Sequence, residues 1–326
     1  MIDGHIHYIE YMGADRLNQV IEDYGYRAIA LQCIPSAAGE AVEADAFRFQ
    51  KQCRVPVYVF GGLDRGIYSF SENRLKEALV EKAEELPDMG CTGIKMLEGK
   101  PNIRKQVPIP DFDKEVWEDY WSYLEREQIP VYMHVNDPEE FWDAGRVSAF
   151  AKKAGWFYDE TFINNEEQYR QIFTVLRRHP ELRILFPHFL FFSKQLKRLG
   201  DMLDAYPNVY IDITPGSELY YNLSENHKEA QAFFVKYQNR ICFGTDIGAR
   251  VLVAEEQKKL SIEECDSRFR LITEFLETKG DYPLRPDGCY ITAEDRVMHG
   301  LGLSRELLEK IYEKNFLEFI KREGGE

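Results

Sequence analysis

The 326-residue sequence has no paired cysteine spacing, no excess of basic charge, no long apolar run and no glycine-rich turn near its start. Its six cysteines, Cys33, Cys53, Cys91, Cys242, Cys265 and Cys289, are scattered. Without a C-x-x-C pair they outline neither a zinc ribbon nor a disulfide framework. Their setting in runs such as "AIALQC" and "RICFGT" suits reduced, buried thiols. With 41 Lys and Arg against 56 Asp and Glu, the net charge of -15 argues against nucleic acid and an anionic membrane as partners. No stretch approaches the roughly 18–20 apolar residues of a membrane span. A secretory leader is not expected either, because His5 stands where its charged start would lie. The expectation is a soluble cytoplasmic protein that acts on a small molecule.

What the chain does have is a regular alternation of short apolar runs and longer amphipathic stretches. Candidate strands are Ile2–His7, Arg27–Cys33, Val55–Gly61, Thr92–Leu97, Ile129–Val135, Arg183–His188, Val209–Ile213 and Ile241–Thr245. They are nearly continuous in Val, Ile, Tyr and Phe, as strands buried on both faces must be. Helical patterns lie between them. "ADRLNQVIEDYG" ends on a glycine suited to a helix C-terminus, and "SENRLKEALVEKAEELPD" offers Ser71 as a cap and Pro87 as a stop.

Eight strand–helix units predict an α/β fold, a (β/α)8 TIM-type barrel, as one domain over residues 1–326. The surplus length falls after strand five, from Asn136 to Asn165, and in a helical extension over 281–326 that packs on the barrel. A doubly wound open sheet is the alternative, but it calls for a glycine-rich turn after the first strand. That position reads His-Ile-His.

In a barrel of this kind, functional side chains stand at the C-terminal ends of the strands. His5 and His7 in "IDGHIHY" are two residues apart, so on a strand both point to one face, about 6.5–7 Å apart. Strand five delivers His134 in "VYMHV", strand six His188 in "ILFPH", and strand eight Asp246 in "ICFGTDIG". Any one of these histidines is compatible with a buried structural role. Together, on strands one, five, six and eight, they form a donor set for one divalent ion, most often zinc, with manganese as the alternative. Such an ion acidifies water toward a pKa of roughly 7, and a carboxylate beside it can take the proton. His179, His227 and His299 fall on helices or in the tail and read as structural or exposed.

These segments resemble the amidohydrolase superfamily, specifically its amidohydrolase-related (amidohydrolase 2) group. "IDGHIHY", "VYMHVND", "ILFPHF", "YPNVYIDIT", "ICFGTDIG" and the closing "IYEKNFLEF" occur in that group's order over nearly the whole chain. The resemblance implies a distorted barrel with the metal held by His5, His7, His134 and Asp246. It makes Asp246 and His188 catalytic, with His188 polarising substrate or water and a ligand role for it left open. Other superfamily branches carry a carboxylated lysine on strand four that bridges two ions, so Lys95 in "TGIKML" would be a ligand only in a binuclear site. Asp3 is expected to be structural. Relatives are often homo-oligomers. The group's decarboxylases often continue the last motif as D-Y-P, where this chain has Asp246-Ile247-Gly248.

The expected activity is hydrolysis of a small amide, ester or lactone by metal-activated water. The alternative is metal-dependent, non-oxidative decarboxylation of an aromatic or unsaturated acid. For substrate contacts the sequence offers Trp142 and Trp156 in the long segment after strand five and Glu218 after strand seven. Arg104 and Arg250 are expected to hold a substrate carboxylate.

Overall fold

All eight apolar runs form strands: β1 (Ile2–Ile6), β2 (Ala28–Gln32), β3 (Val57–Gly62), β4 (Gly93–Gly99), β5 (Val131–Val135), β6 (Ile184–Phe186), β7 (Val209–Asp212) and β8 (Ile241–Cys242). They are seen in a computed structural model that describes residues 1–35, 43–216, 218–252, 256–284 and 296–321. The strands pair in sequence order, and the pairings are parallel. Backbone hydrogen bonds then join β1 to the end of β8, from Gly4 N–H to the Phe243 carbonyl (3.0 Å), from Asp246 N–H to the His5 carbonyl (2.8 Å) and from His7 N–H to the Ile247 carbonyl (2.8 Å). A sheet closed on itself is a barrel, and the open doubly wound alternative is excluded.

Several strands stop short of the apolar runs that announced them. Pro187 has no N–H to continue the ladder after β6, and His188 follows with φ 55°. Asp246, beyond β8, has φ 58° and so has left the extended region. Two glycines at this rim are required by space. A Cβ on Gly99 would fall 2.1 Å from the His134 carbonyl oxygen, and one on Gly248 (φ 90°) would fall 2.2 Å from that of His7.

The opposite end of the barrel is plugged. The C-terminal helix spans Arg305–Glu309, a π-helical turn at Lys310–Lys314 and Asn315–Ile320. It buries Phe316 and Phe319 against Ile2, Phe60, Tyr132, Leu185 and Tyr210. The extension is not helical throughout, as the sequence had suggested. An antiparallel hairpin, β9 (Lys279–Leu284) and β10 (Arg296–Leu301), comes first. Tyr282 and Leu284 are buried at alternate positions of β9, and Met298 and Gly300 at alternate positions of β10, a period of two that marks strands with one covered face. Ser71 precedes the helix Glu72–Asp88 without a side-chain capping bond, and Pro87 lies inside its last turn rather than ending it. Five cysteines are free thiols; Cys289 lies outside the described residues. No described helix is long and apolar enough to cross a membrane.

Alternation along β4 sorts its side chains. Lys95 and Leu97 line the cleft at the rim, whereas Glu98 turns the other way, fully buried near Tyr68 and Arg65. Burial pushes its carboxyl up to about 7, despite partial compensation from Tyr68 and Arg65. A raised folded-state pKa gives stability that is complete below the unfolded value near 4.5 and is lost as pH rises through 7. Glu98→Gln should therefore match the wild type in urea unfolding at pH 4 and exceed it at pH 8.5, by an amount of order 3 kcal/mol. A difference between the two proteins that does not change with pH would refute this account of Glu98.

Candidate metal centre

The rim gathers His5, His7, His134, His188 and Asp246 around one cleft, with an empty volume of about 930 Å³ including its open mouth. That is ample for a small organic substrate. His5, His7 and Asp246 form a buried group whose ligand atoms all lie within 4.8 Å of one another. Asp246 Oδ1 is 3.2 Å from His7 Nε2 and 3.6 Å from His5 Nε2.

Each histidine is oriented by the partner of its other ring nitrogen. His5 Nδ1 donates to Asp212 Oδ2 (2.8 Å) and His7 Nδ1 to the Gln32 carbonyl (2.7 Å). His134 Nε2 donates to the Asn136 carbonyl (2.7 Å). His188 Nδ1 lies 3.0 Å from Thr214 Oγ1 and 3.3 Å from the Thr214 carbonyl oxygen. Because the Thr214 hydroxyl donates to Asp212 Oδ1 (2.5 Å), its oxygen accepts from His188. These partners assign the protons and leave lone pairs at His5 Nε2, His7 Nε2, His134 Nδ1 and His188 Nε2. Burial, with Lys95 beside His5 and Lys100 beside His134, pushes both imidazoles down. Burial takes His188 to about 3 despite the nearby Asp246. Neutral imidazoles with one N–H fixed are what a divalent ion requires of its ligands, so the residues fit a metal.

A cation already occupies part of this space. Lys95 Nζ is buried 3.3 Å from His5 Nε2, and burial pushes its ammonium down to about 8. Lys95 faces the cleft. Asp3 turns away from the cluster, accepting from the backbone N–H of His5 and both the N–H and hydroxyl of Thr245.

His188 opens a turn with little precedent in its sequence. His188, Phe189, Leu190 and Phe191 all have φ between 52° and 58°, although none is glycine. Left-handed geometry costs about 1–2 kcal/mol per residue. It is offset by burial of Phe189 and Leu190 and by the Tyr169 hydroxyl donating to the Leu190 carbonyl (2.9 Å). The turn stacks Phe191 on the His188 ring, 5.3 Å between centroids, and places Phe191 in the cleft wall.

The expected substrate contacts divide. Trp156 and Arg250 line the cleft. Trp156 stacks at 6.0 Å with Phe141, which lines it too. Arg104, Trp142 and Glu218 do not line it. Arg104 is engaged by Asp111 (2.8 Å) and Gln171 (2.9 Å). The Trp142 indole donates to the Ile163 carbonyl and packs edge-on against Tyr158. Glu218 stands at the start of the helix Leu219–Glu225. Of the basic residues Lys100, Arg104 and Lys105 that follow β4, only Lys100 lines the cleft. Its ammonium pairs with Asp137 (2.6 and 2.8 Å) and lies 5.2 Å from the Trp156 ring. Tyr158 donates to the same carboxylate (2.5 Å), which ties the segment after β5 to the rim. Burial works against the charge on Asp137, but Lys100 and His134 hold it below the usual carboxylate range.

The structure shows which hydrogen-bonding atom His188 presents to the cleft. A polariser must donate a hydrogen bond, and with its Nδ1 proton on Thr214 the neutral ring offers the cleft only an acceptor. Sequence reasoning missed Asp212, Thr214, Asp137 and Arg268. Asp212 was detectable as a carboxylate inside the apolar run "VYIDIT". Arg268 shares helical spacing with Cys265, Ile272 and Phe275, a charge on a buried stripe.

The model of the Amidohydrolase family matches residues 2–319. No curated protein matches. Among solved structures, a TIM-barrel protein from Bordetella bronchiseptica is similar at TM-score 0.57 and 14% identity, with 99% of each chain covered. A 4-oxalomesaconate hydratase from Rhodopseudomonas palustris matches at TM-score 0.54 and 12%, covering 98% of this chain and 95% of that one. A dihydroxybenzoic acid decarboxylase from Polaromonas sp. JS666, with bound manganese and the inhibitor 2-nitroresorcinol, matches at 0.54 and 12%, covering 98% and 96%. At these identities the likeness carries the fold.

Asp212 grips both the His5 ring and, through Oδ1, the His188 backbone N–H (2.8 Å). Asp212→Asn should leave the circular dichroism spectrum intact and weaken Mn2+ or Zn2+ binding about 10- to 100-fold, read by competition with a chromophoric chelator. Unchanged affinity would mean that Asp212 does not orient the metal ligands.

Proposed function

The chain belongs to the amidohydrolase family, and from that premise we propose that it is a metal-dependent hydrolase of a small ester, lactone or amide with a flat, largely apolar body. The observation that carries this reading is the buried group of His5, His7 and Asp246, with ligand atoms within 4.8 Å of one another, and His134 and His188 on the same cleft. His5, His7, His134 and Asp246 would hold one divalent ion, zinc or manganese. When bound, the ion supplies Lewis acidity toward a carbonyl oxygen and toward water.

The remaining work falls to the protein's own groups. Two acceptors stand at the cleft for the proton that water gives up. Asp246 turns Oδ1 toward His5 and His7 and Oδ2 toward Arg268 (3.5 Å), so a cation lies beside it and weakens it as a base. His188 is lowered by burial, to about 3, but Asp246 and Asp212 near it favour its protonated form. His188 therefore takes the proton and passes it to the leaving group. Phe141, Trp156, Phe191, Leu97 and Ile34 wall the cleft and keep bulk water from the reacting carbonyl. Arg250, exposed and lining the cleft, would meet a substrate carboxylate.

The stacked Phe141 and Trp156 also suit a planar acid, which supports the second reading, decarboxylation of an aromatic or unsaturated carboxylate. The similarly folded Polaromonas decarboxylase, with its aromatic inhibitor, supports it too. The two reactions separate in labelled water: hydrolysis places one 18O in the acid product, whereas decarboxylation releases carbon dioxide and takes up a solvent proton on carbon. Screening lactones, aryl esters, amides and aromatic acids with Zn2+- or Mn2+-loaded enzyme is expected to give the 18O-labelled product. His188→Gln should keep its metal and lose about 10²- to 10⁴-fold in kcat, whereas Asp246→Asn should lose the metal itself. Loss of metal in His188→Gln would make His188 a ligand instead of a base.

A further inference from the structure

A buried cation lies behind the cluster. Arg268, on the helix Ile262–Glu277, is 1% exposed and lines the cleft. Its Nε donates to Glu264 Oε1 (3.1 Å), one turn earlier, and its Nη1 donates to the Thr245 carbonyl (3.3 Å). Nη1 also lies 3.5 Å from Asp246 Oδ2. The guanidinium is therefore fixed by its own helix and by the strand end that carries Asp246.

We infer that Arg268 is a positioning residue that holds Asp246 to ligation through a single oxygen. The inference rests on the metal reading above. The two carboxylate oxygens face different charges: Oδ1 looks to the lone pairs of His5 and His7, Oδ2 to the guanidinium. Chelation through both oxygens would need the carboxylate to rotate and Oδ2 to leave a cation from which little water could screen it. The backbone resists any compensating shift, since Asp246 N–H is bonded to the His5 carbonyl (2.8 Å). Arginine suits the place better than lysine, because it keeps its charge beside a second cation. The consequence is one coordination position kept for water or substrate.

Co2+ reports this directly, because its d–d absorption weakens as its coordination number rises. The apoprotein is titrated with Co2+ as wild type, as Arg268→Met, and as Arg268→Met combined with Glu264→Gln, which removes the half-buried carboxylate that the first change strands. Arg270→Met, on the exposed side of the same helix, is the control. The expected result is a loss of d–d intensity in both Arg268 variants and the wild-type spectrum in the control. A wild-type spectrum in either Arg268 variant, folded by circular dichroism, would overturn the inference and leave the metal site standing. Failure of the wild type to take up Co2+ would instead overturn the metal reading, and this inference with it.

Discussion

Between β1 and the residues after β8, the backbone hydrogen bonds at Gly4, His7 and Asp246 close the barrel, and the metal cluster depends on that closure. His5 and His7 lie at one end of the chain and Asp246 more than two hundred residues later. They meet only because the last strand returns to the first. The same seam sets the unusual backbone at Asp246 and the glycine at 248, where any side chain would strike the His7 carbonyl. Further round the rim, Gly99 lets the chain leave β4 against the carbonyl of His134. Close backbone approaches at the strand ends are thus the mechanical basis of the site.

Given that frame, the chemistry is set by what lies behind the histidines. Asp212, Gln32, Thr214 and Asn136 supply acceptors that fix one N–H on each ring. Burial keeps the rings of His5, His134 and His188 neutral, so that their lone pairs face the cleft. The plug of Phe316 and Phe319 keeps the floor beneath them dry, with Tyr132 linking the plug to the His5 ring at 5.4 Å. A dry floor strengthens every charge above it, and positive side chains gather there: Lys95 within the cluster and Arg268 behind Asp246.

The wall facing the cluster is built from a different kind of element. The segment after β5 folds on its own small apolar core of Phe141, Val147, Ala151 and Tyr158. It is pinned to the rim by Asp137, which Lys100 and Tyr158 share. The left-handed turn after the neighbouring β6 delivers Phe191 to the same cleft. These two loops shape the cleft wall while the strand ends carry the histidines and Asp246, a division that barrels allow because loops can vary without disturbing the strands.

The sequence by itself determined the barrel and the gathering of His5, His7, His134, His188 and Asp246 at one rim. Continuous β-branched and aromatic runs at regular spacing leave a parallel, doubly covered strand as their main outlet, and polar residues ending such runs must gather at one rim. It did not determine strand ends at His188 or Asp246, because these depend on a missing proline N–H and on left-handed backbone stabilised by distant packing. Nor did it give the hairpin of the extension, where charged and turn-forming residues obscured a period of two. Only the tertiary structure decided that Arg104 serves Asp111 and Gln171 while Lys100 reaches the cleft, since helical phase within a short basic cluster cannot be read without knowing which side faces the barrel. Only the tertiary structure assigned the histidine tautomers and brought Arg268 behind Asp246. Hydrogen-bond partners and buried ion pairs are pairwise, long-range facts, whereas hydrophobic period is local and written in the chain.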